Sequence, residues 1–306
     1  MKSAVRRLVS MIPVLLGVML LIFILLRIIP GDPVTILLGE HYSQQTIDRL
    51  TQAMHLDKPL WDQFVSYMLG ALKGDLGMSY SMKRPVMQLI LKAFPVTVKL
   101  ALMAAVFAWV LGLSAGIIAA VKENKALDRI FMSISLAGVS IPIFMVSLLL
   151  QYIFAFRLKI LPLTADKRLI SLLLPAIALG WNSAGSVARM TRSSLIETMH
   201  ADFIDTARAK GLGRRAVIFG HALKNAMLPV ITMMALQLSS MMSGAVITES
   251  IFAVPGIGRL ATQAIQNRDM PLLQGTILFT TIIVILGNFV ADCLYAVLDP
   301  RIRESL

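Results

Sequence analysis

Six uncharged apolar windows punctuate the chain: Leu8–Leu26, Leu100–Val121, Ile130–Phe156, Leu169–Ala188, Asn225–Thr248 and Met270–Ala291. Each is long enough for the roughly 20 helical residues that cross a hydrocarbon core. Lipid gives a bare backbone no hydrogen-bonding partner, so each window is expected to be a helix. None shows the alternating ten-residue pattern of a membrane barrel. The pattern predicts an all-α integral membrane protein with six transmembrane helices and a small extracytoplasmic helical segment after the first. Pro13, Pro142, Pro175 and Pro229 fall inside windows and predict kinks. Gly112 and Gly116, beside Ser114 and Ala115, predict a close helix approach. Met227, Met233, Met234, Met241 and Met242 load the fifth window, as core filling or as an adaptable pathway lining.

Three polar stretches separate these windows. Gly31–Pro95 holds a helical pattern from Thr46 to Leu56 with Ile47, Leu50 and Met54 on one face. Asp57-Lys58-Pro59 ends it, because a residue before proline avoids the helical region. A second helix is expected over Trp61–Leu72 and a turn over Gly74–Gly77. With six acids and six bases this stretch reads as a small outer cap, too short for an enzyme domain. Arg189–Lys224 forms the second stretch. The third, Glu249–Met270, repeats Ile257, Leu260, Ala261, Ala264 and Ile265 at helical spacing after a Pro255-Gly256 turn. That predicts an amphipathic helix at the membrane surface or lining a cavity.

Composition agrees with the windows: 57% of the 306 residues are hydrophobic and 15% charged, against about 25% in a soluble domain. The net charge of +12 forms no basic stripe and matches no nucleic-acid module, so nucleic acid is not an expected partner. Cys293 is alone, which leaves no disulfide framework. The MKSAVRR start precedes an apolar run too long for a signal peptide, and reads as a retained first helix. With the N-terminus in the cytoplasm, 15 lysines and arginines flank that side and 12 the other. Six of the 12 lie in the long outer stretch, which the rule weighs poorly; Arg157, Lys159, Lys167 and Arg168 pull the other way. The reading places both termini and the Arg189–Lys224 loop in the cytoplasm.

Candidate chemistry is sparse. His41, His55, His200 and His221 have no acid or cysteine at ligand spacing, and H-E-x-x-H is absent. Gly256-x-Gly258-x-x-Ala261 fits a dinucleotide fingerprint on paper but follows no expected strand. The pattern G-x-x-x-x-G-K-[ST] does not occur, so no ATP site, cofactor or enzyme activity is expected. Asp292 is the one acid read within a membrane helix, and Arg27 is expected to snorkel from the first. An ion-coupled carrier usually holds several buried acids, so this shortage counts against that alternative. A membrane scaffold is the other.

In the Arg189–Lys224 loop, acids at Asp202 and Asp205 precede bases at Arg208 and Lys210, which suits a helix macrodipole. Gly211 permits a left-handed stop. The loop predicts a short rigid helix between two spans, a lever on both. DFIDTARAKGL followed by HALKNAMLPVIT resembles the loop signature of permease subunits of bacterial ATP-binding-cassette importers, in the dipeptide/oligopeptide branch. That branch also holds nickel, opine-metallophore and glutathione systems. The family pattern is E-A-A, three residues, G, nine residues, then I-x-L-P. Aligned on Gly211, its opening falls on Asp205, Thr206 and Ala207, and its I, L and P on His221, Leu223 and Lys224. Aspartate thus replaces glutamate, threonine an alanine and lysine the proline, departures similar to those of the peptide branch itself. Arg6–Pro33, Gly74–Tyr80, Pro95–Leu102, Ile251–Leu260 and Leu298–Arg303 also resemble the branch, so the likeness covers essentially the whole chain.

The resemblance implies a type I importer-like fold and a multi-pass bacterial inner-membrane location. It implies pairing with a second homologous permease, two cytoplasmic ATPases that receive coupling helices, and an extracytoplasmic solute-binding protein. Coupling would fall to Asp205, Thr206, Ala207, Arg208, Ala209, Lys210 and Gly211. The expected cargo is di- or oligopeptide, with nickel or a metallophore, then glutathione, as alternatives. The implied organisation is 1–30 as N-terminus and first span, 31–95 as extracytoplasmic segment, and 96–306 as core with the coupling loop 189–224.

Overall fold

The structure, a computed structural model, describes residues 2–28, 51, 57–166 and 168–298, without side chains for 2–11, 26 and 292–298. Apart from Thr51, the expected Thr46–Leu56 helix lies outside what it describes, as do His41, His55, Lys167 and the side chains of Asp292 and Cys293. Among the described residues there is no strand, only an isolated bridge between Met78 and Pro85.

The helices are α1 (Lys2–Ile28), α2 (Leu60–Leu72), α3 (Val86–Val121), α4 (Ala126–Ser140), α5 (Ile143–Arg157), α6 (Leu173–Met199), α7 (Asp202–Ala209), α8 (Arg214–Met242), α9 (Val246–Ile251), α10 (Ile257–Gln266) and α11 (Met270–Leu298). Four of them, α3, α6 with its lead-in, α8 and α11, are long and apolar enough to cross a membrane; α1 adds an apolar run over Ile12–Leu25. The third window differs from its expectation as a single helix. It breaks at Ser140–Pro142 into α4 and α5, bent by 102°. Pro142 has no N–H to donate and forces Ile141 into extended backbone (ψ 125°). Pro13 and Pro229 lie inside helices α1 and α8 as expected, and Pro95, unremarked in the sequence, lies inside α3.

The core is built on the α3–α6 pair, the most extensive helix contact among the described residues. Ala101, Ala104, Ala105, Ala108, Gly112 and Gly116 of α3 are all buried against it. A Cβ at Gly116 would sit 2.6 Å from the Ala188 carbonyl oxygen, and one at Gly180 2.6 Å from that of Ala104. The backbones therefore touch, which gains dispersion where lipid offers no hydrophobic drive. Leu102, Val106 and Val110, on the far face of α3, stay exposed for lipid or a partner. Gly116→Leu is expected to split this seam at a cost of at least about 1–3 kcal/mol. Thermal unfolding of the purified chain in detergent should show it, whereas Val106→Leu should not move the midpoint.

The bundle has two ends. At one, Ala120, Leu195, Ile204, Ala207, Val217, Ala222 and Ala226 form a small core beneath α7. At the other, α2 and α10 join α1, α3 and α11 through Phe23, Phe64, Ile90, Ile257 and Leu272. Arg27, expected to snorkel, lies 3.6 Å over the Phe23 ring and donates to Gln63 of α2. The 158–172 loop is pinned by Ala165 N–H to Phe252 O at 2.8 Å. There Arg168 pairs with Asp166 at 2.6 Å, and its hydrogen bond holds the Asp166 carboxyl below the ordinary range.

Candidate functional site

α7 is short, and its sequence divides cleanly by face. Ile204 and Ala207, one turn apart, are buried; Asp202, Phe203, Asp205, Thr206, Arg208 and Ala209 face outward. Ala201 gives no side-chain cap, so the acids Asp202 and Asp205 serve the N-terminus through the dipole. Asp205 pairs with Arg208 at 2.9 Å, with both side chains more than half exposed, so the pair adds little stability. The helix stops where Gly211 enters the left-handed region (φ 81°) and its N–H reaches Arg208 O at 2.9 Å. Lys210 and Gly211 are exposed beyond that stop. Of the seven residues singled out in the sequence, six therefore lie on or beside one outward face, and Ala207 is an anchor. Phe203 (46% exposed), Leu212 (39%) and Phe219 (58%) add apolar bulk around it.

The polar loop is smaller than the 36 residues read from Arg189 to Lys224. α6 runs on to Met199 and α8 starts at Arg214, because their polar ends pack on the Leu195–Ile204 core. His200 closes α6 with Nδ1 2.9 Å from Ile196 O, a capping contact. His221 lies in a π-helical turn, Val217–Ala222, exposed and without a ligand-like neighbour among the described residues.

Beside α7, a partly buried ion pair fastens α4 to α6. Arg192 Nε meets Asp128 Oδ1 at 2.6 Å and Nη2 meets Oδ2 at 2.7 Å. Asp128, 3% exposed, also accepts from Asn124 N–H at 2.9 Å, closing the α3–α4 turn. Arg214 of α8 adds a hydrogen bond to Val121 O at 3.2 Å.

At the opposite end α9 and α10 are joined by a buried carboxylate. Glu249, fully buried, accepts from Arg259 N–H at 3.0 Å and from Thr97 Oγ1 at 2.8 Å, with Gly258 N–H alongside. Thr97 in turn accepts from Ile257 N–H at 2.9 Å. The first three N–H groups of α10 are thus met by side chains of α3 and α9, a helix cap supplied from outside. Burial pushes the Glu249 carboxyl above its ordinary range, and the hydrogen bonds from Arg259, Thr97 and Gly258 oppose that shift. Nearby, Asp269, 1% exposed, gathers Ser79 Oγ at 2.6 Å, Ser81 Oγ at 2.7 Å and Ser81 N–H at 2.9 Å, fixing the 74–85 stretch to the start of α11. The dinucleotide reading of Gly256 and Gly258 fails here: the segment is a capped helix start, and its cradle is filled by Glu249.

Two family models match the chain. Residues 112–304 match the binding-protein-dependent transport system inner membrane component, and residues 1–101 match the N-terminal region of the same membrane component. The chain belongs to this permease family. The permease is 40% identical to the dipeptide transport system permease protein DppB of Alkalihalophilus pseudofirmus, over 98% of both chains. It is 40% identical to a di/tripeptide transport system permease DppB of Pseudomonas aeruginosa, again over 98% of both. With the glutathione transport system permease GsiC of Escherichia coli K12 the identity is 38% over the same shares. An inward-facing MetNI methionine ABC transporter chain superposes with a TM-score of 0.61 at 18% identity, over 70% of this chain and 97% of that one, a likeness of fold. The permease is therefore a multi-pass, non-catalytic membrane subunit of an ATP-binding-cassette importer.

Sequence reasoning missed the three acids that are buried among the described residues. Asp128 sat outside the third window, Glu249 at the edge of the fifth and Asp269 at the edge of the sixth. A signal was available for Glu249: an acid shortly before a P-G-x-G turn that opens a helix without a capping side chain of its own.

Proposed function

We propose that the permease carries di- and oligopeptides across the bacterial inner membrane, energised by two separate cytoplasmic ATPase subunits and fed by an extracytoplasmic solute-binding protein. The end-to-end likeness to dipeptide and di/tripeptide permeases supports the cargo. Glutathione, itself a tripeptide, is the second reading, favoured by the GsiC relatives. Nickel or a metallophore ranks below both. A second, homologous permease chain completes the pathway in this reading, and both termini and α7 face the cytoplasm. Residues 31–95 then form an extracytoplasmic segment after the first span (1–30), and 96–306 the core with the coupling loop 189–224.

The observation that carries the reading is the two-sidedness of α7. It is rooted in the bundle by Ile204 and Ala207 and presents Phe203, Asp205, Arg208 and Lys210 outward. Such a helix, mounted between α6 and α8, suits a groove on an ATPase: when the ATPases close, a push on α7 moves both spans. Asp205 and Arg208 orient the face, Lys210 offers a charge to a partner acid, and Gly211 sets the turn. A Cβ at Gly211 would meet nothing within 4 Å, so substitution there costs backbone strain alone. Gly211→Val is expected to cost about 1–3 kcal/mol locally and to abolish dipeptide uptake at unchanged membrane abundance. Gly211→Asn, which tolerates the left-handed region, should keep most uptake. Wild-type uptake by the valine variant would remove α7 from the coupling path.

A further inference from the structure

A cleft of about 230 Å³ opens between the outer part of α3 and the start of α10. Lys92 and Arg259 line it with the amide of Gln263, against apolar walls that include Leu89, Val96 and Pro255. No acid lines it. We propose that this cleft is a subsite for the carboxylate end of the solute in transit, a proposal that rests on the peptide-import reading.

Three observations converge. First, the two cations have no ion-pair partner among the described residues. Glu249, the acid that caps α10, spends its oxygens on the N–H groups of Gly258 and Arg259 and on the Thr97 hydroxyl and does not line the cleft. Second, Arg259 is positioned rather than loose. Its Nη1 donates to Ala253 O at 2.5 Å, from a residue held in the left-handed region (φ 53°), and its own N–H is fixed by Glu249. The remaining guanidinium donors form a fork suited to two carboxylate oxygens. Third, the shape suits one end of a solute. The volume lies below the roughly 300–1,000 Å³ of a whole-ligand pocket, and apolar walls beside a cation pair match a carboxylate next to an aliphatic side chain. A flat acidic protein surface would leave such a concavity empty. A lipid phosphate offers the same anionic chemistry, and the experiment separates it from the solute.

The test uses the complete transporter, with its second permease, ATPases and solute-binding protein, in proteoliposomes supplied with radiolabelled dialanine. Lys92→Gln, Arg259→Gln and the double variant are compared for uptake, for ATP hydrolysis and for the concentration of loaded binding protein that gives half-maximal rate. The double variant is expected to lower uptake about tenfold. ATP hydrolysis should stay within twofold and the half-maximal concentration should not move. Arg259→Lys should recover part of the loss, and Lys92→Gln, at an exposed position, should assemble as the parent does. Unchanged uptake overturns the subsite. So does a raised half-maximal concentration, which assigns the pair to binding-protein docking. A loss seen in vesicles with phosphatidylglycerol but not in phosphatidylcholine alone also overturns it, since the pair then holds a headgroup. If the unaltered transporter imports no dialanine, the import reading itself fails.

Discussion

Glu249→Ala is expected to lower the stability of the permease by about 3–5 kcal/mol, because several buried hydrogen-bond donors lose their acceptor at once. The side chain is fully buried. Its loss strands the Arg259 and Gly258 N–H groups and the Thr97 hydroxyl together, and each buried orphan donor costs about 1–3 kcal/mol. The N-cap residue offers no substitute, because Gly256 has no side chain. The turn before α10 should then detach from Thr97 and open that end of the bundle. Thermal unfolding in detergent is the measurement, with limited proteolysis near Pro255 as a local probe. Glu249→Gln tests the electrostatics separately. It keeps the volume and one acceptor but turns an NH2 group toward backbone donors, so it should fall between the parent and alanine. A glutamine variant as unstable as alanine would mean that shape counts for nothing here; an alanine variant as stable as the parent would show the cap to be idle.

The same cap shows what the sequence made legible. Apolar length alone located the long helices α3, α6, α8 and α11, because a missing solvent for the backbone leaves few options. The seam through Gly112 and Gly116 was readable for a related reason: small residues at helical spacing have no better use in lipid. The left-handed stop at Gly211 was readable because few other residues adopt that geometry cheaply. What failed to show was pairing across distance. Asp128 meets a cation 64 positions away and Glu249 a hydroxyl 152 positions away. No local period carries such information, and both acids lay just outside the apolar windows. The break at Pro142 was half legible. The proline announced a kink, but the 102° turn needed the extended Ile141 as well. The outward face of α7 was legible as charge pattern, whereas its root was not: Ile204 and Ala207 acquire their meaning only from Ala120, Leu195 and Ala226 in other helices.

Arg192→Ala is expected to be the next most damaging change, for a different reason. It leaves Asp128, 3% exposed, with a charge and one remaining backbone donor at a helix junction. Because the Arg192 side chain is 28% exposed, water reaches the vacated site, and the uncompensated charge costs about 1–3 kcal/mol. The pair is bidentate, the geometry in which a fork and a carboxylate gain most, but it also has a mechanical position. Asp128 fastens α4 and the turn after α3 to α6, and the last turn of α6 carries Leu195 into the core that roots Ile204 and Ala207. Breaking the pair should therefore free α4 from the platform on which α7 stands. Two readouts separate stability from coupling. In detergent, the double variant Asp128→Asn, Arg192→Gln should recover about half of the lost stability, because a neutral pair of similar size is far cheaper to bury than a lone charge. A double-mutant cycle with alanine at both positions should return an interaction energy of about 2 kcal/mol. In the reconstituted transporter the neutral pair should hydrolyse ATP yet import less dipeptide per ATP, since the held geometry is looser even where the fold survives. Full uptake per ATP by that variant would confine the bridge to a structural role; an interaction energy near zero would remove even that.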